Sequence, residues 1–229
     1  MNGFNSVRKG PRSLCLVLSL IGPATSACAG TDSFEAERIE DVAEADDDHV
    51  SVRRDALTNT NCTSAQWSAI DNANKGAYWL LSKAIEDFNT QEAADLRTTW
   101  FGTTRDEVSI LFRLADIRLY SSGLIAVNVR CESPSQTLCI PGAWGYRTDD
   151  NVLHFCPPYF TYDHNQADYD RKSGVSQVGG LLHELSHFDG TTDSFGFYGY
   201  NNCRALAEWS PESAANNADN WRYYLMQVQ

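Results

Sequence analysis

Apolar residues recur at helical spacing over a long stretch that begins after residue 63. They stand three or four positions apart, with Asn74 in the same series: Trp67, Ile70, Ala77, Leu81, Ala84, Ile85 and Phe88. Residues at this spacing share one face of an α-helix, so the stretch predicts a long first helix with one buried side. Thr63 and Ser64 precede it, and either hydroxyl is able to cap its first turn.

Shorter apolar patterns follow this helix. A second helix is predicted from residues with similar spacing: Val108, Leu111, Ala115 and Leu119. Three brief apolar segments, separated by pairs that favour turns, predict strands: residues 124–129, 143–147 and 152–156. A helix around residues 178–187 and a C-terminal helix from about Pro211 complete the pattern. Helices first and a small antiparallel sheet in the middle predict an α+β domain.

The helix predicted after the strands carries candidate chemistry. Its sequence His183-Glu184-Leu185-Ser186-His187 places two imidazoles one turn apart on one face, where both are able to bind one metal ion. Glu184 then lies beside the open coordination position and can accept a proton from a metal-activated water. The alternative is a surface helix that carries two histidines by chance. Buried packing is favoured by the apolar residues of the same helix: Val178, Leu181, Leu182 and Leu185.

A third protein ligand is expected directly after this helix. Gly190 is able to take the left-handed conformation that ends a helix, which lets Asp193 reach the same metal. On its own, Gly-Thr-Thr-Asp is an ordinary polar turn. Two other zinc sites stay open at this point. In a thermolysin-like site Glu208 or Glu212 is the third ligand, and in a metzincin-like site Met226 has to supply the methionine turn.

The two-histidine helix followed by Gly190-Thr191-Thr192-Asp193 resembles the aspzincin metalloendopeptidase family, which includes deuterolysin and peptidyl-Lys metalloendopeptidase. The resemblance extends over residues 58–229 through three further segments: residues 98–102, 153–156 and 216–224. It implies a secreted zinc-dependent endopeptidase with a zincin-like, mostly helical domain. It also implies the site residues, with Glu184 as general base and three ligands for one Zn²⁺: His183, His187 and Asp193.

The resemblance further implies a tyrosine hydroxyl that stabilises the oxyanion. The family places this tyrosine three residues after the ligand aspartate and before a glycine, but Gly196 stands at that position here. Tyr198-Gly199 follows two residues later, so a two-residue insertion assigns the role to Tyr198, with Tyr200 as the second candidate. Alternatively, Tyr198 only packs in an aromatic loop with Phe195 and Phe197.

A substrate-binding pair is implied on the C-terminal helix. In the lysine-specific branch of the family, two acidic residues three positions apart bind the residue after the scissile bond. Asp219 matches the first, whereas Arg222 occupies the second position. Because residues three apart are neighbours on a helix, Arg222 can pair with Asp219 and neutralise it. We therefore expect lysine preference to be relaxed or absent, unless Arg222 points to solvent and Asp219 acts alone.

The N-terminal region has the features of an export signal. Basic residues precede an apolar run over residues 14–21, and small residues follow it. The run is too short to span a membrane. Cleavage after Ala29 defines a signal peptide of residues 1–29. The alternative is lipidation of Cys28, which would anchor the protein to the cell envelope.

Acidic residues dominate the region after the signal. Residues 30–57 carry ten of them and almost no aromatic residue, a composition that cannot bury a core. We expect a prosegment removed near Arg53-Arg54, which would make the protein a zymogen, or an acidic linker that stays attached. From residue 58 onward, 20 acidic and 12 basic residues leave a formal charge of −8. This charge disfavours nucleic acid and anionic membranes as partners and is compatible with a protein or peptide substrate. We expect the enzyme to be a monomer.

Five cysteines lie beyond the export signal: Cys62, Cys131, Cys139, Cys156 and Cys203. In an exported protein such cysteines form disulfides. The family resemblance implies the pairs Cys62–Cys131 and Cys139–Cys156. Cys203 is left over, either free and buried or paired with Cys28.

A secreted metal-binding or toxin-like interaction module without proteolytic activity is the alternative to an enzyme. Glu184 argues against it, because a purely structural metal site needs no base beside an open coordination position.

A zinc peptidase is expected to bind its substrate as an extended strand along the edge of the sheet.

Overall fold

The computed structural model describes residues 57–103, 106–140, 143–148, 152–162, 176–193 and 197–228. All of them belong to one unit, Ala45–Gln229. The predicted signal peptide, Cys28, the acidic segment up to residue 56 and Gly196 lie outside the described residues. Among the described residues, no helix combines the length and the apolar character needed to cross a membrane.

The first helix, α1 (Ser64–Glu86), is the one that the apolar pattern predicts. Thr63 caps it: the Thr63 hydroxyl accepts a hydrogen bond from the Gln66 amide, and the Gln66 side chain accepts one from the Thr63 amide. This capping box satisfies two amides that have no partner inside the helix. A separate helix, α2 (Gln91–Phe101), follows and was not predicted.

The helix α3 (Glu107–Ser122) is confirmed, but the apolar residues whose spacing predicts it are not the ones that it buries. Val108 is 59% exposed, and the buried residues form a different stripe: Ile110, Leu114, Ile117 and Ser121. Apolar residues occur on more than one side of this helix, since Phe112 is also exposed. Periodicity therefore could not choose the face, and packing against α1 decides it.

Four strands form one sheet in the order β1-β2-β4-β3: β1 (Leu57–Thr60), β2 (Val127–Cys131), β3 (Gly145–Arg147) and β4 (Val152–Phe155). The first pairings, β1 with β2 and β2 with β4, are parallel, and β3 pairs antiparallel with β4. The α+β class is confirmed, whereas the prediction of an antiparallel sheet is corrected to a mixed one. β1 begins at Leu57, one residue before the predicted domain boundary, and the helices between β1 and β2 return the chain to the same end of the sheet.

The helix α4 (Gln177–Ser186) lies at the centre of the domain, and all ten of its residues are buried. The Ser176 hydroxyl caps it by accepting a hydrogen bond from the Gly179 amide at 2.9 Å. The helix packs against α1, β3 and the last helix of the chain. The prediction of a buried helix is therefore confirmed for His183, whereas His187 directly follows the last residue of α4.

The C-terminal part contains three helices: α5 (Tyr200–Trp209), α6 (Pro211–Ala215) and α7 (Ala218–Leu225). The sequence predicts one helix from Pro211. A helix does begin there, but it ends at Ala215, and α7 is a separate helix. The helix α5 was not predicted. Trp100 at the end of α2 stacks on Tyr223 of α7 with ring centroids 5.1 Å apart. The Asn220 side chain donates hydrogen bonds to the Trp100 and Cys203 carbonyls, at 2.7 and 2.9 Å. These contacts fix α7 against α2 and α5.

Both implied disulfides are present, Cys62–Cys131 and Cys139–Cys156. The first joins the start of α1 to the end of β2. The second joins the loop before β3 to the residue after β4. Cys203 is free and buried, which is one of the two alternatives expected for it.

Candidate metal centre and active site

Three side chains converge where α4 ends. His183 lies in α4, His187 begins the short 3-10 turn His187–Asp189, and Asp193 follows Gly190. Gly190 has the expected left-handed conformation, with φ of 82°, so the chain reverses below the helix. One ligand atom from each of the three side chains lies within 4.8 Å of the others.

The spacing of these donor atoms fits a zinc ion. Oδ1 of Asp193 is 3.1 Å from Nε2 of His183 and 3.7 Å from Nε2 of His187. Ligand atoms bound tetrahedrally at about 2.1 Å from one Zn²⁺ lie roughly 3.4 Å from one another. Two imidazole nitrogens and a carboxylate oxygen are also the ligand types that zinc accepts in catalytic sites.

Main-chain pairing holds Asp193 in place. The Thr192 amide donates to the Asn216 carbonyl at 2.8 Å, and the Ala218 amide donates to the Thr192 carbonyl at 3.2 Å. These bonds form an isolated parallel bridge between Thr192 and Asn217. The segment before α7 therefore positions the aspartate, although the two are far apart in sequence.

Each histidine donates a hydrogen bond from Nδ1, the ring nitrogen that faces away from the cluster. Nδ1 of His187 donates to the Thr191 carbonyl at 2.9 Å, and Nδ1 of His183 donates to Oδ1 of Asp219 at 2.8 Å. Such bonds orient the rings and leave the Nε2 atoms directed at a metal. Thr191 is a residue whose role sequence reasoning missed: its carbonyl makes the shorter contact with Nδ1 of His187, and its hydroxyl lies 3.3 Å from the same atom.

Asp219 is buried, and both of its oxygens have partners. Beyond the bond from His183, its Oδ2 accepts hydrogen bonds from the Gly199 amide at 2.9 Å and from Nη2 of Arg222 at 3.2 Å. The expected pairing of Asp219 with Arg222 is therefore present. The assignment of Asp219 to substrate binding stays a prediction; the residue lines the cavity and also contacts a candidate metal ligand. Burial raises the pKa of its carboxyl, but the hydrogen bond from His183 and the charge of Arg222 outweigh burial and hold that pKa below the usual range.

Glu184 is 5% exposed, and its Oε2 has no hydrogen-bond partner among the described residues. Burial raises the pKa of this carboxyl to about 7, and the neighbouring Asp193 and Asp219 act in the same direction, against His183. A carboxyl in this state can both accept and return a proton near neutral pH. An unpartnered oxygen beside three candidate ligands is the arrangement expected of a general base.

The two histidines differ in their protonation. Burial lowers the pKa of His183, but hydrogen bonds to Asp193 and Asp219 outweigh burial and raise that pKa to about 9. Burial and the neighbouring His183 lower the pKa of His187. Without a metal, His183 thus keeps a proton between its Nε2 and Asp193, at the place where a cation fits, and metal binding would release that proton.

Tyr198 lies on the same cavity as these residues and is 48% exposed. Burial and the neighbouring Asp193 carboxylate raise the pKa of its hydroxyl. Tyr200, the second candidate, packs edge-on against Trp100 with ring centroids 5.2 Å apart and does not line the cavity. Of the two tyrosines, only Tyr198 is placed to reach a group bound at the cluster.

The cavity has a volume of about 890 Å³ and opens between α4, α7 and the sheet. The outermost strand of the sheet, β3, lines it through all three of its residues. The described charged residues on its wall are Arg147, Glu184, Asp193, Asp219 and Arg222. Arg222 is 3% exposed, and its guanidinium faces the rings of Trp144 and Tyr223 at 4.8 and 4.6 Å.

Arg147 is a second residue that sequence reasoning missed. Its Nη1 donates a 2.6 Å hydrogen bond to the His187 carbonyl, and its guanidinium lies over the Phe188 ring. The residue stands on β3, forty positions before the turn that it contacts. No local pattern in the sequence predicts such a contact.

The structure does not support the thermolysin-like or the metzincin-like zinc site. Glu208 and Glu212 are exposed on α5 and α6 and do not line the cavity. Met226 is buried directly after α7. Among the described residues, the one acidic, histidine or cysteine cluster that could hold a metal is formed by His183, His187 and Asp193.

Comparison with known proteins agrees with this geometry. A family model described as lysine-specific metallo-endopeptidase, aspzincin M35, matches residues 87–226. A peptidyl-Lys metalloendopeptidase from Grifola frondosa is 26% identical over 173 residues, covering 73% of this chain and 46% of that protein. One from Armillaria mellea is 25% identical over 175 residues, with the same coverage. An extracellular protease from Aeromonas hydrophila is 36% identical over 84 residues, or 36% of this chain and 22% of that protein.

Among solved structures, the fold is similar to a zinc peptidase from Grifola frondosa. The TM-score is 0.58 at 26% sequence identity, covering 72% of this chain and 96% of that one. This chain spans about half the length of the peptidyl-Lys metalloendopeptidases that it matches, 46% in both cases. The resemblance inferred from the two-histidine helix and its aspartate turn is confirmed, and the chain belongs to the aspzincin M35 family of metalloendopeptidases.

Proposed function

We propose that this chain is a zinc-dependent endopeptidase that hydrolyses peptide bonds in proteins. The observation that carries the proposal is the unpartnered, buried Oε2 of Glu184 beside the cluster of His183, His187 and Asp193. A structural metal site would have no use for a carboxyl with a raised pKa at this position. Membership of a metalloendopeptidase family supports the same function.

The three cluster residues would hold one Zn²⁺, since their donor atoms have the spacing and the chemistry that zinc requires. When bound there, zinc polarises the carbonyl of the scissile bond and lowers the pKa of water. Asp219 and the Thr191 carbonyl keep the two imidazoles in the orientation needed for binding.

Proton transfer is assigned to Glu184. Its carboxylate accepts a proton from the attacking water through Oε2 and then donates it to the leaving nitrogen, so that the carboxyl ends the cycle ionised again. The raised pKa suits both halves of this task. The Tyr198 hydroxyl donates a hydrogen bond to the oxygen of the carbonyl under attack, where negative charge develops.

The substrate is proposed to bind as an extended strand along β3. This strand is at one end of the sheet, pairs with β4 on one side, and lines the cavity with all three of its residues. Main-chain hydrogen bonds to such an edge bind any sequence in an extended form. This arrangement suits a protease that acts within long polypeptides.

The lysine preference in the names of the fungal relatives is not carried over to this chain. Asp219 is engaged by His183, Gly199 and Arg222, so it offers no free oxygen to a substrate ammonium. The buried Arg222 guanidinium adds a positive charge to the cavity wall. We therefore propose that residues other than lysine are accepted after the scissile bond.

Export is proposed as well. Two disulfides form in the described domain, and one relative is an extracellular protease. The signal peptide of residues 1–29 supports secretion, and lipidation of Cys28 would instead retain the protein at the cell envelope.

The test is casein hydrolysis by the exported chain, before and after cleavage near Arg53-Arg54. Activity should disappear with a zinc chelator and return with Zn²⁺. Glu184→Gln should keep bound zinc and lose turnover by about 10²-fold or more, because the base is removed without touching a ligand. Glu208→Gln, on the exposed face of α5, is the matched control and should change neither property. Zinc binding without any hydrolysis would favour the interaction module, and unchanged turnover in Glu184→Gln would refute the proposed base.

A further inference from the structure

Two large aliphatic side chains stand exposed at one end of the catalytic cavity. Leu138 and Ile140 are 57% and 64% exposed, and both line the cavity that contains Glu184. Ala143 and Trp144 line the same cavity, and we call these four uncharged residues the apolar rim. Exposed apolar surface beside a functional cavity is typical of a ligand contact.

The apolar rim is held in a fixed position. Cys139, between its two aliphatic residues, is bonded to Cys156 at the end of β4. The backbone before it turns twice, through hydrogen bonds from the Gln136 amide to the Ser133 carbonyl and from the Cys139 amide to the Gln136 carbonyl. The disulfide and these turns therefore restrain the segment that carries Leu138 and Ile140.

The Trp144 side chain is restrained in the same way. One ring face meets the Arg222 guanidinium at 4.8 Å, and Tyr162 packs edge-on with ring centroids 5.6 Å apart. The Trp144 carbonyl also accepts a 2.8 Å hydrogen bond from the Cys156 amide. A restrained indole offers apolar area at a low cost in conformational entropy.

The apolar rim runs directly into the strand proposed to bind the substrate. Trp144 precedes Gly145, the first residue of β3. Side chains of an extended peptide point alternately to its two faces, so a peptide paired with β3 brings some of its side chains over the neighbouring surface. The charged residues of the cavity are on β3, α4, α7 and the aspartate turn, none within the rim.

We propose that the apolar rim is a substrate subsite that binds an aliphatic or aromatic side chain of the polypeptide being cleaved. This inference rests on the proposed endopeptidase function. It makes Leu138 and Ile140 specificity-determining residues, and it assigns apolar segments of proteins as the preferred substrates.

The test uses pairs of peptides. The two members of a pair differ only in having phenylalanine or alanine at one position near the cleavage site, and each such position has its own pair. Leu138→Ser and Ile140→Ser, singly and together, remove the apolar contact from exposed positions, so the fold is unaffected. For at least one position, the double variant should lose about tenfold in kcat/KM with the phenylalanine peptide, mainly through KM, and little with its alanine counterpart. Leu124→Ser is the matched control, because Leu124 is 75% exposed but does not line the cavity.

Peptide affinity measured with Glu184→Gln as the parent separates this inference from the proposed function. The rim substitutions should weaken binding of the phenylalanine peptide by a similar factor, whether or not the parent enzyme turns over. Equal effects on both peptides at every position, or none on either, would overturn the subsite. Absence of cleavage by the unmodified protein, with rim-dependent binding intact, would overturn the endopeptidase function alone.

Discussion

Arg147 on β3 donates a hydrogen bond to the main-chain carbonyl of His187, with Nη1 and O 2.6 Å apart. This bond ties the strand proposed to bind substrate to the turn that carries a proposed zinc ligand. Arg147→Lys keeps the positive charge and removes the planar guanidinium that reaches this carbonyl and lies over Phe188. We expect zinc affinity, measured by competition with a chelator, to fall by about tenfold. Arg118→Lys is the control on α3, and equal affinity in both variants would contradict a positioning role.

Asp193 is expected to be the third zinc ligand. Asp193→Ala should reduce bound zinc in a metal analysis after dialysis, because one of three protein ligands is gone. Glu208→Ala removes a carboxylate that is exposed on α5, and its zinc content should equal that of the unmodified protein. The opposite pattern, with zinc lost only in Glu208→Ala, would favour the thermolysin-like site.

Tyr198 is expected to act through its hydroxyl alone. Tyr198→Phe should lower kcat by about 10²-fold, which is typical for loss of one oxyanion donor, while zinc content stays unchanged. Tyr200→Phe tests the other assignment, and its kcat should be close to normal, because that ring packs against Trp100 and Tyr223. A defect confined to Tyr200→Phe would show that the two-residue insertion has been placed wrongly.

The raised pKa of Glu184 predicts a pH-dependent stability of the metal-free protein. The ordinary pKa of 4.5 applies to the unfolded chain, and burial raises it to about 7 in the fold. The folded state therefore holds a proton that the unfolded state releases, so this carboxyl destabilises the fold increasingly as pH rises from 4.5 to 7. The shift corresponds to about 3 kcal/mol.

Urea unfolding in the presence of a chelator, at about pH 5 and about pH 8, measures this effect. The unmodified protein should lose more stability than Glu184→Gln over that interval, because glutamine does not ionise. His183 titrates in both proteins and is coupled to Glu184, so the difference between them measures the Glu184 carboxyl together with that coupling. Parallel losses in the two proteins would contradict the raised pKa.

Arg222 is expected to weaken cleavage before lysine. Its guanidinium lines the cavity and pairs with Asp219, so a substrate ammonium meets a cation and finds no free carboxylate there. Arg222→Gln should raise kcat/KM for lysine relative to leucine after the scissile bond by about tenfold, as expected for removing a repulsion between unit charges roughly 6 Å apart. Cut-site mapping in a mixed peptide library is the measurement. Near-exclusive cleavage before lysine by the unmodified protein would refute the expectation.

The sequence by itself determined the features that depend on neighbours along the chain. The capped helix α1, the buried helix α4 and the left-handed Gly190 follow from periodicity, a hydroxyl before a helix and a glycine after one. The spacing of His183 and His187 and the reversal before Asp193 belong to this class, and pairing of Thr192 with the distant segment before α7 then holds Asp193 in place.

The tertiary structure decided what depends on distant segments. The parallel pairings of the sheet follow from where whole helices return the chain, and the buried face of α3 follows from its contact with α1. Asp219 reaches His183 from 36 positions away, and Arg147 reaches His187 from 40. Side chains so far apart meet only after the core has packed, because helical periodicity and turn chemistry act over a few residues and carry no information about which surfaces will face each other.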